Sequence, residues 1–158
     1  MSKLRFGLGF DVHVFTKKKK VLTLGGIDIN CGFGLRAVSD GDAVLHAASD
    51  AILGAACLGD IGDYFPCHNK KNRGLASGDI AGYVLNKIKN KYALVNIDIT
   101  IISQKPPLAK YKRRMTRSLK NIFGTDNINI KIKSKEGLNI LGGKNALSCM
   151  CAALLIKR

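Results

Sequence analysis

The apolar positions of this chain switch repeatedly between a two-residue and a helical period. LRFGLGFDVHVF (4–15) and, after four lysines, VLTLGGIDI (21–29) read as strands, and CGFGLRAVSDGD (31–42) as a loop punctuated by glycine. DAVLHAASDAILGAAC (42–57) places apolar residues at helical spacing. Ser39 and Asp42 resemble a capping box at its start, and the glycines of LGDIG close it. PCHNKKNRGLASGD (66–79) is a polar candidate for a mobile loop, followed by a helix from about 79 to 90. ALVNIDITIIS (93–103) is a strand, and PPLAKYKRRMTRSLKNIF opens with proline at a helix start and runs to Gly124. INIKIKS (128–134) alternates as a strand. ALSCMCAALLI (146–156) lacks a polar helical face and also reads as a strand. The expected class is α/β (α+β): one four-to-five-stranded mixed sheet layered by about three helices, in a single domain over 1–158.

Composition narrows the class further. With 158 residues, 46% hydrophobic and 23% charged, the chain suits one soluble globular core. No apolar stretch approaches the roughly 20 residues of a membrane helix. MSKLRFGLGF lacks a secretory signal, so the expected location is cytoplasmic, or an organelle stroma if a transit segment has been removed. Five cysteines without a CxxC pair fit incidental thiols in a reducing compartment. The formal net charge of +15 concentrates in KKKK (17–20) and KYKRRMTRSLK (110–120). The first reads as a solvated hairpin turn and the second as the wet face of a helix. Aromatic residues, 6% of the chain, do not interleave with either run, so no specific nucleic-acid partner is expected.

The candidate chemistry lies in three places. In a strand Asp11 and His13 share a face, while Phe10, Val12 and Val14 take the other. The pair is either a salt bridge at a sheet edge or two legs of a metal site. On the first predicted helix His46 stands four residues from both Asp42 and Asp50. It is either a core histidine satisfied by those acids or a third ligand beside Asp11 and His13. One carboxylate and two imidazoles make a usual three-ligand set for zinc, with a fourth position open.

FGLGFDVHVF, SDGDAVLHAASDAILGAACLGDIGDYFP, DITIISQKPP and KEGL together resemble the 2-C-methyl-D-erythritol 2,4-cyclodiphosphate synthase family, over essentially the whole chain. The resemblance implies a homotrimer with active sites between subunits and no membrane partner. It also implies the conversion of 4-diphosphocytidyl-2-C-methyl-D-erythritol 2-phosphate to the cyclic diphosphate with release of CMP. On that reading Asp11, His13 and His46 hold one Zn²⁺ per subunit, and Glu136 holds a second ion, Mg²⁺ or Mn²⁺, at the substrate's diphosphate. Glu136 and Ser134 are the catalytic positions. Asp11, His13, Ser39, Asp60, Gly62, Phe65 and Ser134 face substrate; Asp50 either orients His46 as an acceptor or is a charge on the helix surface. His68 is the alternative third zinc ligand.

Several positions depart from the family pattern. Val38 stands where the family has a histidine assigned to transition-state stabilisation. Cys67, His68 and Asn69 replace an acid-rich tripeptide, and Lys133, Ser134 and Lys135 replace a threonine-rich run. Pro107 takes a lysine position, with Lys105 or Lys110 able to supply charge nearby. Gly143 replaces an arginine of the family's isoprenoid-diphosphate pocket. Lys133 and Lys135 are expected to restore some phosphate contact. The alternative is a drifted, non-catalytic trimer that binds metal and phosphate.

Overall fold

A computed structural model describes residues 3–19 and 21–158. Its strands are β1 (Leu4–Thr16), β2 (Val21–Leu24), β3 (Ile27–Asn30), β4 (Gly34–Leu35), β5 (Tyr92–Ile102), β6 (Ile128–Lys133) and β7 (Ala146–Lys157). Its α-helices are α1 (Ala43–Ala55), α2 (Ile61–Tyr64), α3 (Ser77–Ile88) and α4 (Lys112–Phe123). Five strands form a mixed sheet in the order β4-β1-β7-β5-β6, parallel only between β5 and β6. No helix among the described residues is long and apolar enough to cross a membrane.

The sheet is central because its long strands are apolar on the side that meets helices. Ile97, Ile99 and Ile101 of β5 and Leu147, Cys149, Cys151, Ala153 and Leu155 of β7 are all buried there. Burial pushes the Cys151 thiol up to about 12, and Cys149 also upward, so both behave as small apolar side chains. The helix α1 lies directly on β1 and β7. Gly7 and Gly9 allow this close approach, since a Cβ on Gly9 would sit 1.9 Å from the Ala47 carbonyl oxygen. Only a glycine-alanine contact brings the two backbones so near.

Several expectations change. VLTLGGIDI is a hairpin, β2 and β3, folded at Gly25 and Gly26 with φ of 62° and 71°. Positive φ at both central residues gives the turn whose twist suits antiparallel strands. Because β2 pairs with β3, the lysine run is not a hairpin turn between β1 and β2. Lys20 lies outside the described residues, and Lys19 folds inward to donate to the Ser39 and Asp40 carbonyls, at 3.1 Å each. Asp42, not Ser39, caps α1: its carboxylate accepts from the amides of Val44 and Leu45, and also from Gly25 and Gly26 of the hairpin. Cys57, at φ 57°, carries the left-handed turn after α1 that the glycines of LGDIG were expected to supply. The proline-led helix begins only at Lys112, after a short 3₁₀ turn over Ala109–Tyr111, and it ends at Gly124 as expected. Its Met115, Leu119 and Phe123 are buried, leaving the basic residues on the outer side.

Candidate metal centre

The inward alternation of β1 runs Gly7, Gly9, Asp11, His13, so the side chains resume where the glycine contact ends. There α1 presents His46. Asp11 Oδ2 lies 3.0 Å from His46 Nδ1 and 2.9 Å from His13 Nε2. One ligand atom from each residue falls within 4.8 Å of the others, a spacing able to hold a metal ion. Asp11 and His13 thus approach as an ion pair, and with His46 they form a group that could hold a metal.

The hydrogen-bond pattern favours a cation at this point. His13 Nδ1 is 3.0 Å from the Arg36 carbonyl oxygen, which can only accept, so Nδ1 carries the proton and Nε2 presents a lone pair. His13 Nε2 is buried and has no hydrogen-bond partner among the described residues, although it sits beside Asp11 Oδ2. On the far side of His46, Nε2 lies 2.9 Å from Ser77 Oγ, whose hydroxyl donates to Asp40 Oδ1. Nε2–H is then the donor, and Nδ1 also turns a lone pair toward Asp11. Three electron-rich atoms facing one another call for a proton or a metal between them. Without a metal, a proton shared with the imidazoles fills the gap: desolvation pushes Asp11 up, but the hydrogen bonds and charges of His13 and His46 outweigh it and hold the carboxyl well below its ordinary range. His13 is raised: burial opposes its charge, but Asp11 and the Arg36 carbonyl favour it more.

Asp11, His46 and Ser77 follow the bonding order of a hydrolase triad, yet Ser77 is fully buried and gives its proton to Asp40. No nucleophile reaches solvent by that route.

A cavity of about 190 Å³ opens beside the group, lined by His13, His46, Val38, Ser39, Phe65 and Cys67, among others. Ser39 Oγ is 3.3 Å from His46 Nε2, and Phe65 packs edge-on against Tyr83 at 5.1 Å. Asp60 and Gly62 stand outside the lining. Asp60 caps α2 through the amides of Gly62 and Asp63, with Asp63 returning the bond to complete a capping box. Asp50 does not orient His46; it accepts from the Ile61 amide at 2.8 Å and so anchors α2. Neither Asp42 nor Asp50 satisfies His46, because both are committed to backbone amides. His68 is exposed and outside both the metal group and the cavity lining.

Ser134 and Glu136 are elsewhere. They follow β6, an edge strand that β7 and β5 separate from β1, three inter-strand steps or about 14 Å of sheet. The Ser134 hydroxyl donates to Glu136 Oε1, and Glu136 is exposed. Lys135 is not available to a phosphate: it is buried, and its Nζ donates to the carbonyls of Ile140, Leu141 and Gly143. Lys133 remains exposed. Asp40, Ser77 and the Arg36 carbonyl escape a reading of the sequence. A backbone oxygen leaves no trace in residue type, and a serine 31 positions from its histidine has no motif to mark it.

Residues 4–156 match the YgbB family. The chain is 43% identical over 159 residues to the 2-C-methyl-D-erythritol 2,4-cyclodiphosphate synthase of Clostridium botulinum (strain Eklund 17B / Type B), covering 98% of this chain and 100% of that one. It is 41% identical over 157 residues to the bifunctional enzyme IspD/IspF of Pelagibacter ubique (strain HTCC1062), covering 98% of this chain but 42% of that protein's length. The structure of Plasmodium falciparum IspF in a CDP complex superposes with a TM-score of 0.84 at 32% identity, over 100% of this chain and 99% of that one. Sequence match, fold and the Asp11–His13–His46 group therefore agree, and the chain belongs to the YgbB family, that of the 2-C-methyl-D-erythritol 2,4-cyclodiphosphate synthases.

Proposed function

We propose that this chain converts 4-diphosphocytidyl-2-C-methyl-D-erythritol 2-phosphate to 2-C-methyl-D-erythritol 2,4-cyclodiphosphate and CMP. The observation that carries the reading is the convergence of Asp11, His13 and His46 beside a cavity of about 190 Å³ that His13 and His46 also line. In the reaction an oxygen of the substrate's 2-phosphate bonds to the β-phosphorus, and the bond from that phosphorus to the CMP oxygen breaks. Two anions must be brought together, so positioning and charge neutralisation supply most of the catalysis. Asp11, His13 and His46 would hold zinc, which supplies positive charge to orient and neutralise the phosphate group. Ser39 and Phe65 bound the space for the sugar-phosphate, and the apolar side chains around them exclude water. Glu136 is a single exposed carboxylate, too little to hold a divalent ion alone, so a second ion, Mg²⁺ or Mn²⁺, would rest largely on the substrate's own diphosphate.

The separation of β6 from β1 supports a composite site. Ser134 and Glu136 of one chain would serve the metal group of a neighbour in a cyclic trimer of single-domain subunits. The exposed apolar face of β1 offers the surface for that assembly. The name of the Plasmodium falciparum complex, with its CDP, supports a cytidine-diphosphate substrate. The location proposed with it is cytoplasmic or stromal.

The test is CMP release from the authentic substrate, with His46→Ala as control. Wild type should bind one zinc per chain and release CMP; His46→Ala should lose both while keeping its helical circular dichroism. Stoichiometric zinc in His46→Ala would defeat the ligand assignment. Release no faster than from metal-free protein would leave the non-catalytic alternative.

A further inference from the structure

The imidazole of His46 is held from both sides, and its side away from Asp11 has no assigned role. Ser77, the first residue of α3, is fully buried and places Oγ 2.9 Å from His46 Nε2. Behind it, Asp40 takes both of Ser77's protons: Oδ1 accepts from the hydroxyl, and Oδ2 accepts from the backbone N–H at 2.8 Å. Asp40 thereby caps a helix whose own N-cap, Ala76, has no side chain to do so. With its proton committed, the Ser77 oxygen can only accept from the ring. That fixes the proton on Nε2 and the lone pair on Nδ1.

We propose that Ser77, with Asp40 behind it, is a positioning residue that holds His46 in its metal-binding tautomer and ties the metal group to the start of α3. The proposal rests on the reading of Asp11, His13 and His46 as ligands. The chain shows why a replacement is not at hand. Ser39 Oγ also approaches Nε2, at 3.3 Å, and accepts from the Gly41 amide. Its own proton has no other acceptor among the described residues, so it is free to donate to the ring. Without the Ser77 hydroxyl, Ser39 can give its proton to Nε2, placing the ring's hydrogen on Nδ1 and toward Asp11. A metal would then face an N–H in place of a lone pair. The same Asp40 also fastens the cavity wall, since its amide donates to the Leu75 carbonyl at 3.2 Å, beside the bond from the Gly74 amide to the Val38 carbonyl at 2.9 Å.

The experiment compares wild type, Ser77→Ala, Ser77→Thr and Asp40→Asn in the full chain. Zinc affinity is measured by competition with a chromophoric chelator, and the His46 ring nitrogens by NMR of the metal-free protein. Ser77→Ala keeps the N–H that Asp40 caps, so α3 should stay folded. Loss of a partner that orients a ligating histidine typically weakens metal binding roughly 10- to 100-fold, and that loss is expected here. The ring should move from the Nε2–H form toward Nδ1–H, and Ser77→Thr should recover both signals. Asp40→Asn leaves Ser77 in place but replaces an acceptor with an N–H donor, so it should shift the ring the same way without touching the serine. Zinc affinity and tautomer unchanged in both Ser77→Ala and Asp40→Asn would overturn the proposal while leaving the metal site standing. Wild type that takes up no zinc would remove the metal reading, and this inference with it.

Discussion

The two faces of β1 have opposite fates. Inward, Gly7 and Gly9 admit α1 to backbone contact, and Asp11 and His13 meet His46 where that contact ends. Outward, Phe6, Leu8, Phe10, Val12 and Val14 are exposed, Phe6 at 62% and Leu8 at 67%. Met150 of β7, opposite Phe10, extends the same surface. Contiguous apolar surface of this kind marks an interaction site far more often than a solvated one. One strand thus supplies two of the three residues of the candidate metal centre on one face and exposes an apolar surface on the other. On β5 and β6 the outward face turns polar, with Asp98 between Asn129 and Lys131, so the apolar surface has a defined edge. Because the candidate site and the apolar surface lie on opposite faces, a substitution on one face need not touch the other.

The largest effect should come from the outward face. Leu8→Glu puts charge into the apolar surface without touching the inward residues. Light scattering should change from three subunits to one, CMP release should vanish, and stoichiometric zinc should remain. A wild-type protein already monomeric at micromolar concentration would end the idea of a site shared between subunits. Next in size is a change at the cavity rim. Val38 lines the cavity where the family resemblance implies a histidine donor, and it is 45% exposed. One donor to a developing oxyanion is worth roughly 10²–10³ in rate. Val38→His should raise kcat by up to that factor with KM little changed, as expected of an interaction made only in the transition state. If the rate does not move and Lys133→Ala lowers kcat sharply, Lys133 has taken over the role.

The inward face should answer to packing. A Cβ at Gly9 meets backbone atoms of Ala47, which cannot swing aside as a side chain would. Gly9→Ala should cost about 3 kcal/mol of stability by denaturant titration and pull His46 away from Asp11, weakening zinc. The same substitution at Gly82, where an added Cβ meets nothing within 4 Å, should be neutral or slightly stabilising.

Much of this organisation is legible in the sequence, because it rests on period and residue type. The alternation of LRFGLGFDVHVF gives both faces of β1, and the three candidate ligands stand out because they are the strand's acid and imidazole and the helix's only imidazole. The hairpin at Gly25 and Gly26 is misread as one strand, since apolar residues flank the turn evenly on both sides. Asp42 and Asp50 look like partners of His46 because helical spacing is visible. Their real partners are amides brought near only by tertiary folding. Lys135 reads as a phosphate contact by charge, but its position under the 140–143 carbonyls follows from how that loop closes.

The smallest effect separates the empty inward site from the filled one by pH. Asp11 is held below its ordinary 3.8, so its contribution to the metal-free fold is complete above that value and is lost only as pH falls toward the lower folded-state value. His13 is raised above 6.5, so its contribution is complete below that value and is lost as pH rises through the folded-state value. Together they favour the metal-free protein between about 4 and 6.5. Zinc reverses the sign, because His13 must be neutral to bind it. Melting temperature measured with and without zinc should therefore diverge on raising the pH from about 5.5 to 8. The metal-free value falls slightly, while the increment from zinc grows. His13→Asn should flatten the metal-free slope and abolish the increment. A substitution on the outward face, Val14→Thr, should leave both slopes as they are. A metal-free slope identical in wild type and His13→Asn would show that Asp11 and His13 do not share a proton in the empty site.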